Sequence, residues 1–536
     1  MDARPALRQN DYSPVTPPEL GAWSPALPVS VVIPAHGGRH LELTLAALAA
    51  QTYPAHLMEV LVVDDGSEPP ITLPELRPLR TRLIRVETGW GISNAVNTGA
   101  NAADGEIVQR LDADMVPCRE HIEALARWHH VTDYLVTIGM KKFVEPPEVT
   151  ARQVSLARHL GELFDLDAAV PSSTEATIAR TDGLRASRNP YHVCTGPTFA
   201  LRRDVFHAAG GLDPNVLRGE DTEFAYRLAM HGVVFVPDPA AQAVHLGLPA
   251  QHLDRERAVR AVEPYLAHRV PLRRDLRKER GRRWLVPYVE IVLDVAGATQ
   301  EQVRAAVSAA LDGSLQDVAV TLVGPWSRLG DGRRSVLGDP AFELRFMRDL
   351  FAHDERVRLI DEEAPTPAPA PFRYRGPVDV PLHRVTLERM IETVQKDLTG
   401  VLVVDLPGAG AEPRTARLER TSALGRAVLL AGAGGDLDAV IETTHGIRRE
   451  SPERYWPPAP APASSKPAAS PAPAASPGPA QAGGGRPGSA TAATPAQPGG
   501  PTVPDGRAAA APATGTGART PERTLLRRLK SALRPD

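Results

Sequence analysis

Residues 29–67 read VSVVIPAHGGRHLELTLAALAAQTYPAHLMEVLVVDDGS. Both ends, VSVVIPA (29–35) and MEVLVVD (58–64), are short and almost continuously apolar. The stretch between them, HLELTLAALAAQT (40–52), carries leucines and alanines on one side of a helix. Two nearly all-apolar strands separated by a helix indicate neighbouring strands of a mostly parallel sheet covered on both faces.

Moving outward, the pattern continues. RLIRVET (82–88) reads as a third strand, GISNAVNTGANAA (91–103) as a helix, and EIVQRLDAD (106–114) as a fourth strand. In such sheets ligands sit beyond the carboxyl ends of the strands. That puts Asp64, Asp65, Asp112 and Asp114 on one rim. Two carboxylates two residues apart, in LDADM (111–115), fit either a metal site or a surface turn.

The chain has 536 residues, too many for one ordinary core, so at least two domains are expected. A net charge of -3 gives no general attraction to nucleic acid. Two cysteines, Cys118 and Cys194, imply no disulfide framework and suit a reducing, cytoplasmic setting. The first residues lack the apolar run of a signal peptide, and no stretch of about 18 apolar residues is present to span a membrane.

Six segments are expected. Residues 1–28 form an extended, proline-rich surface segment, and 29–272 the first α/β domain. Residues 273–283, RRDLRKERGRR, read as a solvated basic helix face between domains, or as a contact for an anionic surface. A degenerate copy of the first domain spans 284–450. In it VPYVEIVLDVAGATQEQVRAAVSAALDGSLQDVAVTLVGPWS (286–327) repeats the order strand, helix, strand, turn. Gly324-Pro325-Trp326 stands where the first copy has Asp64-Asp65-Gly66. ERVRLIDEE (355–363) echoes the third strand, and GVLVVDLPG (400–408) echoes the fourth. Residues 451–519 have almost nothing large and apolar to bury and read as a disordered linker. Residues 520–536 read as a basic amphipathic helix with Leu525, Leu526, Leu529 and Leu533 on one face. A frayed tail and a peripheral contact with the inner face of a membrane both fit that helix.

Four motifs now stand in order: VSVVIPA, EVLVVDDGS, LDADM and GEDTEFAYRL (219–228). This order resembles family-2 glycosyltransferases of the GT-A fold, over roughly residues 29–250. The resemblance implies a nucleotide-sugar donor, with Pro34, His36, Asp64, Asp65, Asn94, Asn97 and Asp112 around it. Asp64 is expected at the base, where a carboxylate accepts a base N–H or a ribose hydroxyl. It implies a divalent cation, Mn²⁺ or Mg²⁺, on Asp112, Asp114 and His245, because a hard cation with oxygen ligands neutralises a departing diphosphate. In GEDTEFAYRL it implies Asp221 as general base, with Glu220 positioning the acceptor. Acidic residues in a first helical turn are favourable in any protein, which explains the position without catalysis. The form of this motif, with CTGPTFALRRDVFHAAGGLD (194–213) before it, resembles galactosyl- and N-acetylgalactosaminyltransferases, with Gly196 opening space near the acceptor. His129 and His130 look like surface residues.

The expected function is metal-dependent, inverting transfer of a sugar from a nucleotide-sugar donor, UDP-linked by resemblance, to a hydroxyl of a glycan or small-molecule acceptor. A cell-envelope glycan is one such acceptor. Two alternatives stay open: a non-catalytic glycan-binding scaffold on a transferase fold, and a nucleotidyltransferase, which also uses paired carboxylates with metal.

Overall fold

The computed structural model describes residues 4–457 apart from 147, 249–253, 280, 408–413 and 433. The first sheet grows from β1 (Val29–Ala35), β2 (Met58–Asp64), β3 (Thr81–Arg85) and β4 (Ile107–Leu111). They lie side by side as β3-β2-β1-β4, all parallel. Alternate side chains of these strands enter different cores, with Val32, Leu61 and Val63 in one and Val31, Ile33, Val60 and Val62 in the other. Helix α1 (Leu41–Ala49) covers the second of these faces through Leu45 and Leu48. Helix α2 (Ile92–Asn101) covers the first through Ala95 and Val96. The double burial explains the unbroken apolar runs of β1 and β2.

Beyond β4 the sheet becomes mixed. It adds β5 (Met115–Pro117), β6 (Leu135–Val144), β7 (Val170–Pro171), β8 (Thr198–Arg202) and β9 (Val234–Leu246). β8 lies antiparallel between β4 and β6, β9 runs parallel to β6, and the short β5 closes on β9 in the antiparallel sense. Helices α3 (His121–His129), α4 (Ala151–Leu156), α5 (Ser173–Arg180), α6 (Arg203–Ala208) and α7 (Glu220–Met230) connect these strands.

A second sheet contains β10 (Val289–Asp294), β11 (Val318–Val323), β12 (Val357–Ile360), β13 (Phe372–Arg375), β14 (Val401–Leu406), β15 (Arg414–Arg420) and β16 (Ile447–Glu450). Its order is β12-β11-β10-β13-β15-β14-β16. Written beside β3-β2-β1-β4-β8-β6-β9, every neighbouring pair has the same sense, parallel or antiparallel. The helix before β16, Leu437–Thr444, ends in His445-Gly446 as α7 ends in His231-Gly232. Both glycines are left-handed, with φ of 83° at Gly446 and 85° at Gly232. The second half is therefore a degenerate copy of the first. One expected correspondence is corrected: GVLVVDLPG is β14, the counterpart of β6. The counterpart of β4 is β13, whose apolar run is interrupted by Arg373, buried and paired with Glu419 at 2.6 Å. By register Arg375 is the counterpart of Arg110, so Pro377-Val378-Asp379 stands where the first half has Asp112-Ala113-Asp114.

Other expectations change as well. The N-terminal segment is not merely laid on the surface: Leu7, Tyr12 and Val15 are buried beside Trp128, Tyr134 and Val234. Asn10 grips the backbone of Phe235 at both its amide and its carbonyl. The described residues of 273–283 form turns and irregular backbone rather than a helix, and Arg273, Arg274, Arg277, Arg282 and Arg283 are each paired with a carboxylate. Asp317 accepts from Arg274 at 2.6 Å and from Arg277 at 3.0 Å, while Arg277 and Arg282 lie over Trp284. His129 is buried against Thr137, and His130 accepts from the amides of Ala26 and Leu27. The folded region extends past 450, because Tyr455 is fully buried and Trp456 donates to the Pro381 carbonyl. The rest of the expected linker, and the expected helix 520–536, lie outside the described residues.

The two halves pack as one unit. Their seam runs along α7 and the helix Thr421–Ala431. A Cβ on Gly425 would strike the Met230 carbonyl, and one on Gly232 would strike the Arg426 amide, so only glycine permits this approach. Tyr226 of α7 donates to the Pro369 carbonyl. Buried Arg426 donates to the carbonyls of Gly232, Val233, Leu7 and Gln9. Among the described residues no helix is long and apolar enough to cross a membrane.

Candidate active site

The carboxyl ends of β1, β2 and β4 form the expected rim. Pro34 is buried in β1, beside Val63 of β2. His36 is exposed, with its Nδ1 3.0 Å from the Asp65 carbonyl. Asp64 turns inward, only 1% exposed. It accepts from the amide of Ser67 (2.8 Å) and that of Ile71 (3.3 Å), and pairs with Arg85 at 3.3 Å. Burial opposes its charge, but these donors outweigh burial and hold its pKa below the ordinary value. Asp64 is thus committed to shaping its own turn. Asp65 is the more accessible acid, and its two oxygens receive the Gly91 amide at 3.0 and 2.8 Å. That bond ties the rim to the loop before α2.

Asn94 donates to the Thr88 carbonyl. Asn97 clips both backbone groups of Leu212, at 2.7 and 2.9 Å. Both amides therefore brace loops in this structure. Trp90, in the same loop as Gly91, is 69% exposed.

β5 and β9 bring Asp114 to His245. Met115 is paired with His245 in register, and the Leu246 amide donates to the Asp114 carbonyl. Asp114 Oδ1 and His245 Nε2 are 3.5 Å apart. Burial raises the Asp114 pKa, opposed by His245. His40 is close enough for its charge to interact with Asp114. Asp112 points elsewhere: its Oδ1 accepts from Arg110 Nε at 3.0 Å. The expected three-residue ligand set therefore does not assemble, and among the described residues no group of three metal-ligating side chains converges. An Asp–His pair still fits Mg²⁺ or Mn²⁺, which bind through one or two protein groups and take further ligands from substrate phosphates.

Arg110 links the rim to α7. It is buried and pairs with Asp112 and, at 3.4 Å, with Glu220. Burial disfavours its charge, yet Asp112, Glu220 and Asp221 together raise its pKa. The expectation for Gly196 is corrected here. The space a side chain would need at this position is filled by the Arg110 guanidinium, 2.5 Å from the place of a Cβ.

Helix α7 opens at Gly219, whose φ of 83° suits glycine. Glu220 is buried, and burial followed by repulsion from Asp221 raises its pKa. Asp221 Oδ2 accepts the Gly196 amide at 2.8 Å, and Oδ1 accepts the Thr222 amide at 2.6 Å. Lys141 of β6 lies beneath, donating to Thr195 Oγ1 at 2.7 Å. Burial lowers its pKa, while Asp221 and Asp112 pull it back. Arg110 and Lys141 were missed from the sequence. Their signal was a cation inside the apolar strand β4 and two adjacent lysines, Lys141 and Lys142, inside β6, which is costly for a buried cation unless it is paired.

Chemically the arrangement offers a cation-binding pair, a carboxylate fixed by two backbone amides, and buried cations that balance the acids between them. In the second half, Pro377-Val378-Asp379 and Gly324-Pro325-Trp326 leave the matching rim with a single acid, Asp379, which is paired with Arg414.

A family model for glycosyl transferase family 2 matches residues 30–210. The chain is 26% identical over 363 residues to the chondroitin synthase of Escherichia coli, covering 62% of this chain and 50% of that protein. It is 25% identical to the hyaluronan synthase of Pasteurella multocida over 60% of this chain and 34% of that one. The chain thus spans half or less of the length of these relatives. Among solved structures, GalNAc-T7 with UDP, GalNAc and Mn²⁺ is similar at 19% identity and a TM-score of 0.32, covering 45% of this chain and 48% of that one. Residues 1–349 of S. aureus TarS are similar at 18% identity and a TM-score of 0.32, covering 46% of this chain and 66% of that one.

Proposed function

We propose that this chain, which carries a family-2 glycosyltransferase domain, moves a sugar from a nucleotide-sugar donor to a hydroxyl acceptor with inversion at the anomeric carbon. The observation that supports it most is one rim on which the Asp114–His245 pair and the braced Asp221 are joined through Asp112, Arg110 and Glu220.

Asp65, rather than Asp64, is the acid available to a base or ribose. Uracil presents an imide N–H that a carboxylate can accept, so a UDP-linked donor is the first to test. Asp114 and His245 would hold Mn²⁺ or Mg²⁺, which supplies positive charge to a departing diphosphate. Asp221 takes the acceptor proton. Its oxygens keep free lone pairs beyond those given to Gly196 and Thr222, and those two amides fix its direction. As the acceptor oxygen bonds to the anomeric carbon, the bond from that carbon to the diphosphate oxygen breaks on the opposite face. Glu220, held by Arg110, positions the acceptor. The acceptor is a glycan or small-molecule hydroxyl.

The second half acts as support for α7, without a donor site of its own. Calorimetry of UDP in the presence of Mn²⁺ tests this reading. One site per chain is expected, and Asp114→Ala should abolish metal-dependent binding. Unchanged affinity in Asp114→Ala would remove the metal assignment. Two sites per chain would restore a donor role to the second half.

A further inference from the structure

At the seam between the halves lies a cavity of about 80 Å³. A buried water needs about 10–15 Å³ on this measure, so the space suits a group of about five heavy atoms. Its lining includes Arg188, Arg420, Arg426, His445, Tyr191 and Met230. No Asp or Glu contributes to that lining. Among the described residues, no carboxylate forms an ion pair with any of these three arginines. Backbone carbonyls are their partners instead: Gln395 and Lys396 for Arg188, Thr399 and Val394 for Arg420, and the four named above for Arg426.

Such an arrangement is expensive as it stands. Arg420 and Arg426, unlike the exposed Arg188, are withdrawn from water, and carbonyl dipoles compensate their charge only in part. Burial pulls both Arg420 and Arg426 down to about 10, and Arg188 adds repulsion at Arg420. Arg420 Nη1 donates to no acceptor among the described residues, so its protons are available to a ligand. The buried Tyr191 hydroxyl has no partner either. His445 is buried in the same wall, held neutral by burial and by the neighbouring arginines.

We propose that this cavity binds a phosphate group, free or as a phosphomonoester, through Arg188 and Arg420, with Arg426, whose N–H groups are mostly committed to backbone carbonyls, adding positive charge behind them. A phosphate group carries between one and two negative charges near neutral pH and offers several acceptor oxygens in different directions. That matches guanidinium groups arriving from both halves better than a single planar carboxylate does. Arg188 and Tyr191 belong to the first half, Arg420 and Arg426 to the second. Met230 is the last residue of α7, whose first turn carries Glu220 and Asp221. An occupant therefore links both halves to the far end of the helix that the proposed transfer uses.

The test is titration calorimetry of the full chain with inorganic phosphate, in EDTA and at fixed ionic strength. EDTA silences the metal-dependent donor site, so failure here is separate from failure of the transferase reading. Saturable binding at one site per chain is expected, unaffected by excess UDP. Arg188→Gln, at an exposed position and checked for folding by an unchanged thermal midpoint, should weaken it at least tenfold, as should Arg420→Gln. Glycerol phosphate run in parallel separates the sources: tighter binding than inorganic phosphate marks an organic phosphate, weaker binding marks the free ion. Absence of saturable heat, competition by UDP, or wild-type affinity in Arg188→Gln overturns the proposal.

Discussion

Replacing Arg110 by methionine removes the cation that joins the donor rim to α7. The variant keeps much of the side chain's length and none of its charge. Asp112 loses a partner at 3.0 Å and Glu220 one at 3.4 Å, inside a region where Arg110 itself is 2% exposed. Breaking a buried pair by removing one partner costs about 3–5 kcal/mol, because the remaining charge stays desolvated. Asp112 is 20% exposed at its side chain and recovers some solvation, which favours the lower end of that range. The loss should depend on pH. Burial already raises the folded-state pKa of Glu220, and Arg110 opposes that rise. Without Arg110 the folded-state value lies further above the unfolded one. The penalty is then full at high pH and shrinks as pH falls through the raised folded-state value. Urea unfolding of wild type and Arg110→Met at about pH 8 and about pH 5 measures this. A gap of about 3 kcal/mol at the higher pH, narrowing at the lower, is expected. A gap below about 1 kcal/mol at both would mean that Arg110 is not what balances these acids.

Two further changes probe the frame around the site. His129 and His121 are fully buried, and burial lowers them to about 3 and about 4 from 6.5. The unfolded chain therefore binds more protons below 6.5, and stability is lost as pH falls from there toward those values. Between neutrality and about pH 5 each should remove about 2 kcal/mol, and His129→Gln should flatten the measured pH dependence of unfolding. Gly425→Ala drives a methyl into the Met230 carbonyl at the seam. It should cost about 1–3 kcal/mol, lower the thermal midpoint and reduce transfer through the displaced α7; a wild-type midpoint would show that the seam relaxes freely.

Much of the first half was legible because its signals are local. β1 and β2 are buried on both faces and so are continuously apolar, and the turns after them carry acids and glycine. Helix α7 was visible from its acidic first turn. What stayed hidden depends on partners distant in sequence. β13 was passed over because Arg373 breaks its apolar run, and only Glu419 and Glu363 explain that arginine. β14 was then matched to the wrong strand, since VLVVD carries the same pattern as any buried strand. Asp64 reads like Asp65 in the sequence; only the amides of Ser67 and Ile71 show that it is turned inward. The N-terminal strap looked exposed because Leu7 and Tyr12 are isolated among prolines and polar residues, and their burial needs the Trp128–Tyr134 surface. Arg110 and Lys141 carried a readable signal, cations within otherwise apolar strands, but their acidic neighbours are drawn from α7 and the rim.

The most direct test of the account is release of nucleoside diphosphate from a panel of nucleotide sugars, with Mn²⁺ and candidate hydroxyl acceptors, for wild type and Asp221→Asn. The substituted amide would keep the shape of the side chain and, through its oxygen, the contact with the Gly196 amide, but it cannot take a proton. The account predicts metal-dependent release by wild type with at least one donor. It predicts that Asp221→Asn binds that donor as tightly while turnover falls by about 10²-fold or more. Turnover at the wild-type rate in a folded Asp221→Asn protein, or no release from any nucleotide sugar by wild type, would contradict it.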